Sequence, residues 1–379
     1  MVPRSLYVHV PFCVRRCSYC DFAVHATPRP PVDDWLDAVT AELDLQIAHY
    51  GWRAPLFLDT LYIGGGTPSL LGPRGMLRLR ERLERVAEWD PEGVEWTAEA
   101  NPESFTPDVA QGWREAGVNR LSLGVQTFHE PTLRWMGRMH GPEGPVRAME
   151  AARAAGFRNV SLDLIFGLPE RLGRSWEGDV EGVLALEPEH ISLYGLTAEA
   201  ATPLGRWVRE GREVLADEDR YAREYLHAHA RLTQAGFEHY EVSNFGREGH
   251  RSRHNFIYWT GAPYAALGPG AHGFRPPVRS WNLRDWEAYR HAIGRGALPL
   301  EGEEVVGDED ARLEQVWLGL RTVEGIPTKD INEVQRDLVG LWAQQGWARE
   351  ESGRVRLTAE GWLLLDRLAV DFAAAGEVS

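Results

Sequence analysis

Cysteine is nearly absent from this 379-residue chain: there are three, Cys13, Cys17 and Cys20, and none beyond residue 20. So few thiols exclude a disulfide scaffold, and any one pairing would leave an odd thiol. No apolar run approaches the roughly 20 residues that span a bilayer, and the N-terminus has no charged-then-apolar leader. No internal repeat or low-complexity tract stands out. Lysine is almost missing too, Lys329 being the single one among 41 basic residues, which bears on genome composition or thermal adaptation rather than on function. Basic charge is in deficit overall: the formal net charge of −15 opposes association with a phosphate backbone, so nucleic acid is not an expected partner. A chain with no transmembrane segment and with clustered thiols implies a reducing, cytoplasmic location.

What is present points to an enzyme-sized α/β domain with a smaller appendage. Short β-rich runs at Ser5–Phe12, Leu58–Gly66, Glu95–Asn101, Arg120–Gln126, Asn159–Gly167 and His190–Leu196 alternate with segments of helical periodicity. Those segments are Asp33–His49, Arg74–Glu88, Pro107–Ala116, Pro142–Ala155 and Ser175–Ala185. Six such units predict a partial six-stranded (βα)6 barrel over residues 1–200, with parallel strands and ligands at their C-terminal ends. Residues 201–300 read as a barrel extension: a helix at Asp217–Ala235, a β-run at Phe237–Phe245 and an irregular aromatic, glycine-rich segment at Gly249–Phe274. The acidic stretch Glu301–Asp310 reads as a linker or exposed helix start. Residues 301–379 predict a helical, winged-helix-like domain, with helices near Asp310–Arg321, Thr328–Glu333, Asp337–Gln344 and Thr358–Ala374 and a strand at Val355–Leu357. It is not basic, so it is expected to pack against the barrel rather than to bind DNA.

The three cysteines lie within Cys13-Val14-Arg15-Arg16-Cys17-Ser18-Tyr19-Cys20, on the loop after the first strand. Thiolates so clustered suit a soft metal centre, and three of them leave one iron of a four-iron cluster open. Structural thiols, or a zinc site completed by His9 or His25, are the alternatives. Cys-x3-Cys-x2-Cys in this place resembles the signature of radical S-adenosylmethionine (SAM) proteins. The resemblance implies a 4Fe-4S cluster on Cys13, Cys17 and Cys20 whose open iron chelates SAM, and reductive cleavage to a 5′-deoxyadenosyl radical with an electron donor such as flavodoxin or ferredoxin.

Gly64-Gly65-Gly66-Thr67-Pro68-Ser69, at the end of the second strand, is similar to the glycine-rich motif of that superfamily. Three glycines alone are a weak signal, but beside the cysteine loop they are a strong one. Glu99, Gln126 and Asp163 lie on later strands and Arg138 shortly after the fourth, supplying the acids, amide and guanidinium that a zwitterionic nucleoside needs, with salt bridges or caps as the alternative roles. The stretches from Leu6 to Cys13, Glu99 to Pro102, Leu123 to Phe128 and Asp163 to Pro169 are similar to the branch containing oxygen-independent coproporphyrinogen III oxidase. By that resemblance Tyr7 and Tyr19 lie by the cluster and SAM, and Gly65, Gly66, Thr67, Glu99, Gln126, Arg138 and Asp163 contact SAM.

Two features divide that branch. The oxidase pattern has a further cysteine two residues after the third ligand, where this chain has Phe22, and that argues against oxidase activity. His254-Asn255-Phe256-Ile257-Tyr258-Trp259 is similar to the HNxxYW motif of HemW-type heme chaperones. A histidine can ligate heme iron and aromatic rings can line its plane, although a lone histidine beside aromatics is more often a packed core residue. The resemblance implies heme binding through His254, with His250 and His272 as secondary candidates, and transfer to acceptor hemoproteins. The alternative is radical decarboxylation of coproporphyrinogen III propionates to vinyl groups.

Overall fold

The computed structural model describes residues 2–376. Six strands, β1 (Ser5–Val10), β2 (Thr60–Gly65), β3 (Glu95–Ala100), β4 (Arg120–Gln126), β5 (Val160–Phe166) and β6 (His190–Gly195), pair in parallel in chain order. Each is followed by a helix: α1 (Val32–Tyr50), α2 (Gly75–Leu83), α3 (Pro107–Ala116), α4 (Gly144–Ala154), α5 (Trp176–Ala185) and α6 (Glu218–Gln234). Side-chain caps start several of them: Thr106, Ser175 and Asp217 accept hydrogen bonds from Val109, Gly178 and Arg220 backbone N–H groups.

The strands alternate strictly. Leu6, Val8, Leu61, Ile63, Trp96, Ala98, Leu121, Leu123, Leu162, Leu164, Ile191 and Leu193 are buried in the core shared with the helices. The residues between them are mostly polar, among them Tyr7, Tyr62, Glu99, Ser122, Asp163 and Ser192, and period two turns them to the opposite, inner face. The barrel is therefore oily outside its strands and polar within.

Among the described residues the main sheet has nine strands, not six. β7 (Glu238–Glu241) and β8 (Asn244–Gly246) form an antiparallel pair at the β6 edge, and β9 (Ala265–Leu267) runs parallel to β1 at the other. The run expected over Phe237–Phe245 is thus two strands, broken at Val242–Ser243, where the backbone reverses. The irregular Gly249–Phe274 segment also holds a short helix, α7 (Arg253–Trp259). The helix expected to reach Glu88 stops at Leu83, and Ala87–Glu88 pairs with Leu56–Phe57 instead.

Beyond β9, β10 (His272–Arg275), β11 (Val278–Asn282) and β12 (Leu300–Val305) make an antiparallel sheet, with α8 (Trp286–Gly294) between the last two. The acidic stretch after Pro299 is consequently an edge strand and not a linker; its charged side chains suit an exposed edge. The C-terminal unit contains α9 (Asp308–Arg321), α10 (Glu333–Gln344), α11 (Leu365–Gly376) and a small sheet of β13 (Ile326–Pro327), β14 (Ala348–Glu351) and β15 (Arg354–Leu357). It packs on the barrel extension: Val242 N–H bonds Arg321 O at 3.2 Å, Val323 N–H bonds Tyr240 O at 3.0 Å, and Arg321 pairs with the buried Glu241 at 3.2 Å.

One buried acid fastens the extension to the barrel. Glu42 of α1 is fully buried; one carboxylate oxygen accepts from Gln46 at 3.0 Å and Asn282 at 2.6 Å, the other from Gly268 N–H at 2.8 Å and the Tyr289 hydroxyl at 2.6 Å. All four partners are donors, so an amide at this position must turn a donor on donors. Glu42→Gln is expected to lower stability by about 2–4 kcal/mol, measured by chemical denaturation.

Candidate functional site

After β1, Phe12–Cys13 pairs with His25–Ala26 and closes the cysteine loop at its base. The loop is docked across the barrel mouth: Arg15 Nε donates to Gly137 O at 2.9 Å, Ser18 N–H to Met136 O at 3.3 Å, and Leu204 N–H to Ser18 O at 2.9 Å. Cys13, Cys17 and Cys20 are half-buried free thiols. Burial pushes the Cys13 thiol up to about 11, with the Thr67 hydroxyl opposing and the other two cysteines adding to it; burial raises the Cys20 thiol as well. Three adjacent thiolates are thus unfavourable until cationic iron is among them. Among the described residues no three His, Cys, Asp or Glu side chains converge on a single-ion position. His9 is already engaged through Tyr7 Oη at 3.1 Å and Ala23 O at 2.8 Å.

The glycine run presses directly on this loop. Gly65 has φ of +110°, and a Cβ there would stand 2.5 Å from the His9 ring; at Gly66 it would meet Phe12 O at 2.7 Å and Cys13 Sγ at 3.0 Å. From Cys13 a chain of hydrogen bonds crosses the mouth. Thr67 Oγ1 donates to Cys13 Sγ at 3.3 Å, Asn101 Nδ2 to Thr67 Oγ1 at 3.1 Å, and Arg138 Nη2 to Asn101 Oδ1 at 2.8 Å and to Gly124 O at 2.7 Å. Arg138 is buried, yet its Nε has no partner, a donor left for a carboxylate. Tyr19 stands by Arg138 and Cys17, its phenol raised by burial.

Deeper in the barrel, Glu99 accepts from Tyr62 Oη at 2.7 Å and Gly65 N–H at 3.0 Å, and burial pushes its carboxyl up to about 7. Asp163 accepts from Ser122 at 2.9 Å and Ser161 at 3.1 Å, and burial raises it too. Tyr7 stacks near Tyr62, ring centroids 5.9 Å apart. Gln126 sits at a bulge of β4 with φ of +67°, a left-handed conformation that costs a side-chain-bearing residue on the order of 1 kcal/mol. The glycine backbone packed close against the cysteine loop, the unpartnered Arg138 Nε and the nearby carboxylates suit a ligand carrying amine, carboxylate and ribose.

The structure thus gathers Cys13, Cys17, Cys20, Tyr7, Tyr19, Gly65, Gly66, Thr67, Glu99, Gln126, Arg138 and Asp163 in the mouth and upper lumen. Asn101 belongs with them, joining Thr67 to Arg138; so do Glu103 and His140, paired at 3.1 Å. Their position immediately after a strand was the available signal for the first two.

His254 is not with them. Its side chain lies at the opposite, N-terminal end of the strands, 0% exposed. Nδ1 bonds Thr60 Oγ1 at 2.8 Å, Nε2 bonds Tyr258 Oη at 2.8 Å, and its backbone N–H donates to Glu95 at 2.9 Å. Burial lowers its pKa to about 3. Both ring nitrogens thus face hydroxyl partners, which an iron ligand would exchange for the metal. His254 and Tyr258 instead floor the lumen beneath Tyr62, whose ring is 5.1 Å from that of His254.

Residues 7–181 match the family described as Radical SAM superfamily. Over 369 residues the chain is 35% identical to the heme chaperone HemW of Bacillus subtilis, covering 95% of this chain and 97% of that protein. Over 386 residues it is 39% identical to the heme chaperone HemW of Escherichia coli K12, covering 98% of each. The chain belongs to the HemW family of the radical SAM superfamily. Membership implies a 4Fe-4S cluster and SAM. The coproporphyrinogen III oxidase HemN of Escherichia coli, described as a radical SAM enzyme, shares the fold: TM-score 0.80 at 23% identity, over 98% of this chain and 90% of that one. Among the described residues no helix is long and apolar enough to cross a membrane.

His254→Ala should strand the Thr60 and Tyr258 hydroxyls beside a cavity and lower stability by about 3 kcal/mol, read from urea unfolding of the metal-free protein. Glu99 gives a pH test. Its folded pKa of about 7 lies above the ordinary 4.5, so its stabilising share is full below about 4.5 and is lost as pH rises through about 7. The metal-free protein should lose on the order of 3 kcal/mol across that window through this group, and Glu99→Gln should lessen the fall.

Proposed function

We propose that the protein binds heme and passes it to acceptor hemoproteins, in the cytoplasm, while holding a 4Fe-4S cluster on Cys13, Cys17 and Cys20 and SAM against Gly65, Gly66, Thr67, Glu99, Gln126, Arg138 and Asp163. The observation that carries this reading is likeness along the whole chain, at 35–39% identity, to proteins named heme chaperone HemW. Phe22 supports it: at the position where the oxidase pattern has a cysteine, the side chain is apolar and 62% exposed.

When bound, the cluster would offer an iron without a protein ligand, open to the methionine end of SAM. The protein's own part is placement. Arg138, anchored through two acceptors, presents Nε to a carboxylate. Glu99 is held by Tyr62 and the Gly65 amide, which keeps one acidic group close under the glycine cradle. Thr67 steadies Cys13, and Tyr7 and Tyr19 cover the site with rings. An electron donor such as flavodoxin or ferredoxin becomes necessary only if SAM is cleaved; heme transfer itself requires a heme-binding face and access to an acceptor.

Anaerobically reconstituted protein titrated with hemin should show a saturable Soret band. Incubated with reductant, SAM and coproporphyrinogen III, it should form no protoporphyrinogen. A protein that leaves hemin free and makes protoporphyrinogen would be an oxidase despite Phe22.

A further inference from the structure

Thr67 stands in the N-cap position of the short helical turn Pro68–Leu71, yet its side chain caps nothing there. A threonine in such a place ordinarily spends its oxygen on a backbone N–H of the turn. Here the hydroxyl lies 3.3 Å from Cys13 Sγ and 3.1 Å from Asn101 Nδ2, and the side chain is buried. A hydroxyl has one hydrogen to give, so the neighbour that receives it decides whether the sulfur is hydrogen-bonded through this residue at all.

That choice is made at Arg138. A guanidinium carries donors only, so the atom of Asn101 that meets Arg138 Nη2 at 2.8 Å must be the side-chain oxygen. The guanidinium is itself fixed, since Nη2 also reaches Gly124 O at 2.7 Å and the residue is 8% exposed. With Oδ1 turned to Arg138, Nδ2 is turned to Thr67. An amide nitrogen donates, so it takes the hydroxyl as an acceptor and leaves the hydroxyl's hydrogen to the remaining neighbour, the sulfur.

The backbone of Asn101 keeps the amide in this register. Its N–H donates to Ser69 Oγ at 3.3 Å, and its carbonyl accepts from Ser104 N–H at 3.0 Å and Phe105 N–H at 3.1 Å. Ser69 and Ser104 are joined through their hydroxyls at 2.6 Å. Both ends of the peptide unit are thus held, and the side chain has one way to face.

We propose that Asn101 is a positioning residue: set by Arg138, its amide directs the Thr67 hydroxyl onto the sulfur of Cys13. The assignment rests on the reading of Cys13 as a cluster ligand and adds what controls that sulfur. A hydrogen bond to a ligand sulfur draws electron density away from the metal and raises the reduction potential. Asn101 therefore acts on the cluster through Thr67, and Arg138 acts through Asn101.

Asn101→Asp separates direction from shape. A carboxylate still accepts from Arg138, but it can only accept from Thr67 as well, which turns the hydroxyl's hydrogen away from the sulfur. Thr67→Val removes the hydroxyl at nearly constant volume. In full-length protein with the cluster reconstituted anaerobically and its iron and sulfide content matched, an EPR-monitored redox titration should give both variants a lower reduction potential than the native protein. Proton ENDOR after exchange into heavy water should show an exchangeable coupling in the native protein that both variants lose. The added charge of Asn101→Asp is measured separately in the Thr67→Val background, where no hydroxyl remains to be turned. Its effect there should be at most about half that in the native background, because the two residues are coupled.

Equal effects of Asn101→Asp in the two backgrounds, with the exchangeable coupling retained, overturn the relay alone. Thr67→Val that keeps the native potential and coupling overturns it as well, even should Asn101→Asp assemble no cluster. A cluster that assembles unchanged in Cys13→Ala overturns the cluster reading, and the relay with it.

Discussion

Everything in this protein depends on how a polar lumen is kept folded. Parallel barrels usually fill their interiors with branched apolar side chains, but here the inner face carries tyrosines, serines, carboxylates and histidines. An unpaired polar group in such a place costs about 1–3 kcal/mol, so the lumen is organised as a continuous set of pairs. Tyr62 bonds Glu99, Glu99 bonds the Gly65 amide, Ser122 and Ser161 bond Asp163, and Ser161 also bonds His190 at 2.8 Å, which in turn meets Tyr240 at 2.7 Å. The floor closes with His254, Thr60 and Tyr258. Folding and site preparation are in this sense the same process.

That requirement makes the exceptions informative. Among the described residues twelve buried side-chain atoms have no hydrogen-bond partner, and each marks either a tolerated loss or a place kept for something else. Arg138 Nε is one, and it lies at the mouth beside the cysteine loop while Nη2 is held by Asn101 and Gly124. Arg120 Nε is another, 2% exposed and deep in the lumen. The second has a simpler account: Arg120 is the positive charge facing Glu99 and Asp163, easing the burial of two carboxylates that desolvation raises. Position separates the two cases, since a ligand can reach the mouth but not the lumen's lower half.

Most of the architecture was legible in the chain because it rests on local pattern. The six barrel strands fall within two residues of their expected bounds, since β-branched and apolar residues alternate with polar ones and glycine or proline follows. What escaped is what depends on distant partners. The seven-residue α7 is too short to show periodicity and is held by Glu95, which accepts from the Arg253 and His254 amides. β9 has three residues and exists because β1 offers it an edge. The same holds at the site: Cys13 and Gly66 announce themselves by type and spacing, whereas the role of Asn101 appears only once Thr67 and Arg138 are seen on either side of it. His254 illustrates the converse. A motif fixes which residues occur together, but not whether they face a ligand or one another.

Phe22 shows how little sequence change a shared fold needs to alter its use. In a thiol-lined mouth a further sulfur would be ionisable and capable of ligation; a phenyl is neither, and when 62% exposed it forgoes about 1–2 kcal/mol of burial that a folded chain would ordinarily take. It is one of several large apolar side chains left exposed, Val214 and Val305 among them, and singly exposed apolar groups are ordinary on folded surfaces. Val14 on the same loop is 40% exposed, while at the opposite end, where α7 closes the floor, Phe57 before β2 is 41% exposed beneath the Arg4 guanidinium. The difference that Phe22 makes is therefore one of chemistry rather than fold, and it lies on the cysteine-loop side, where the residues of the radical SAM motif gather.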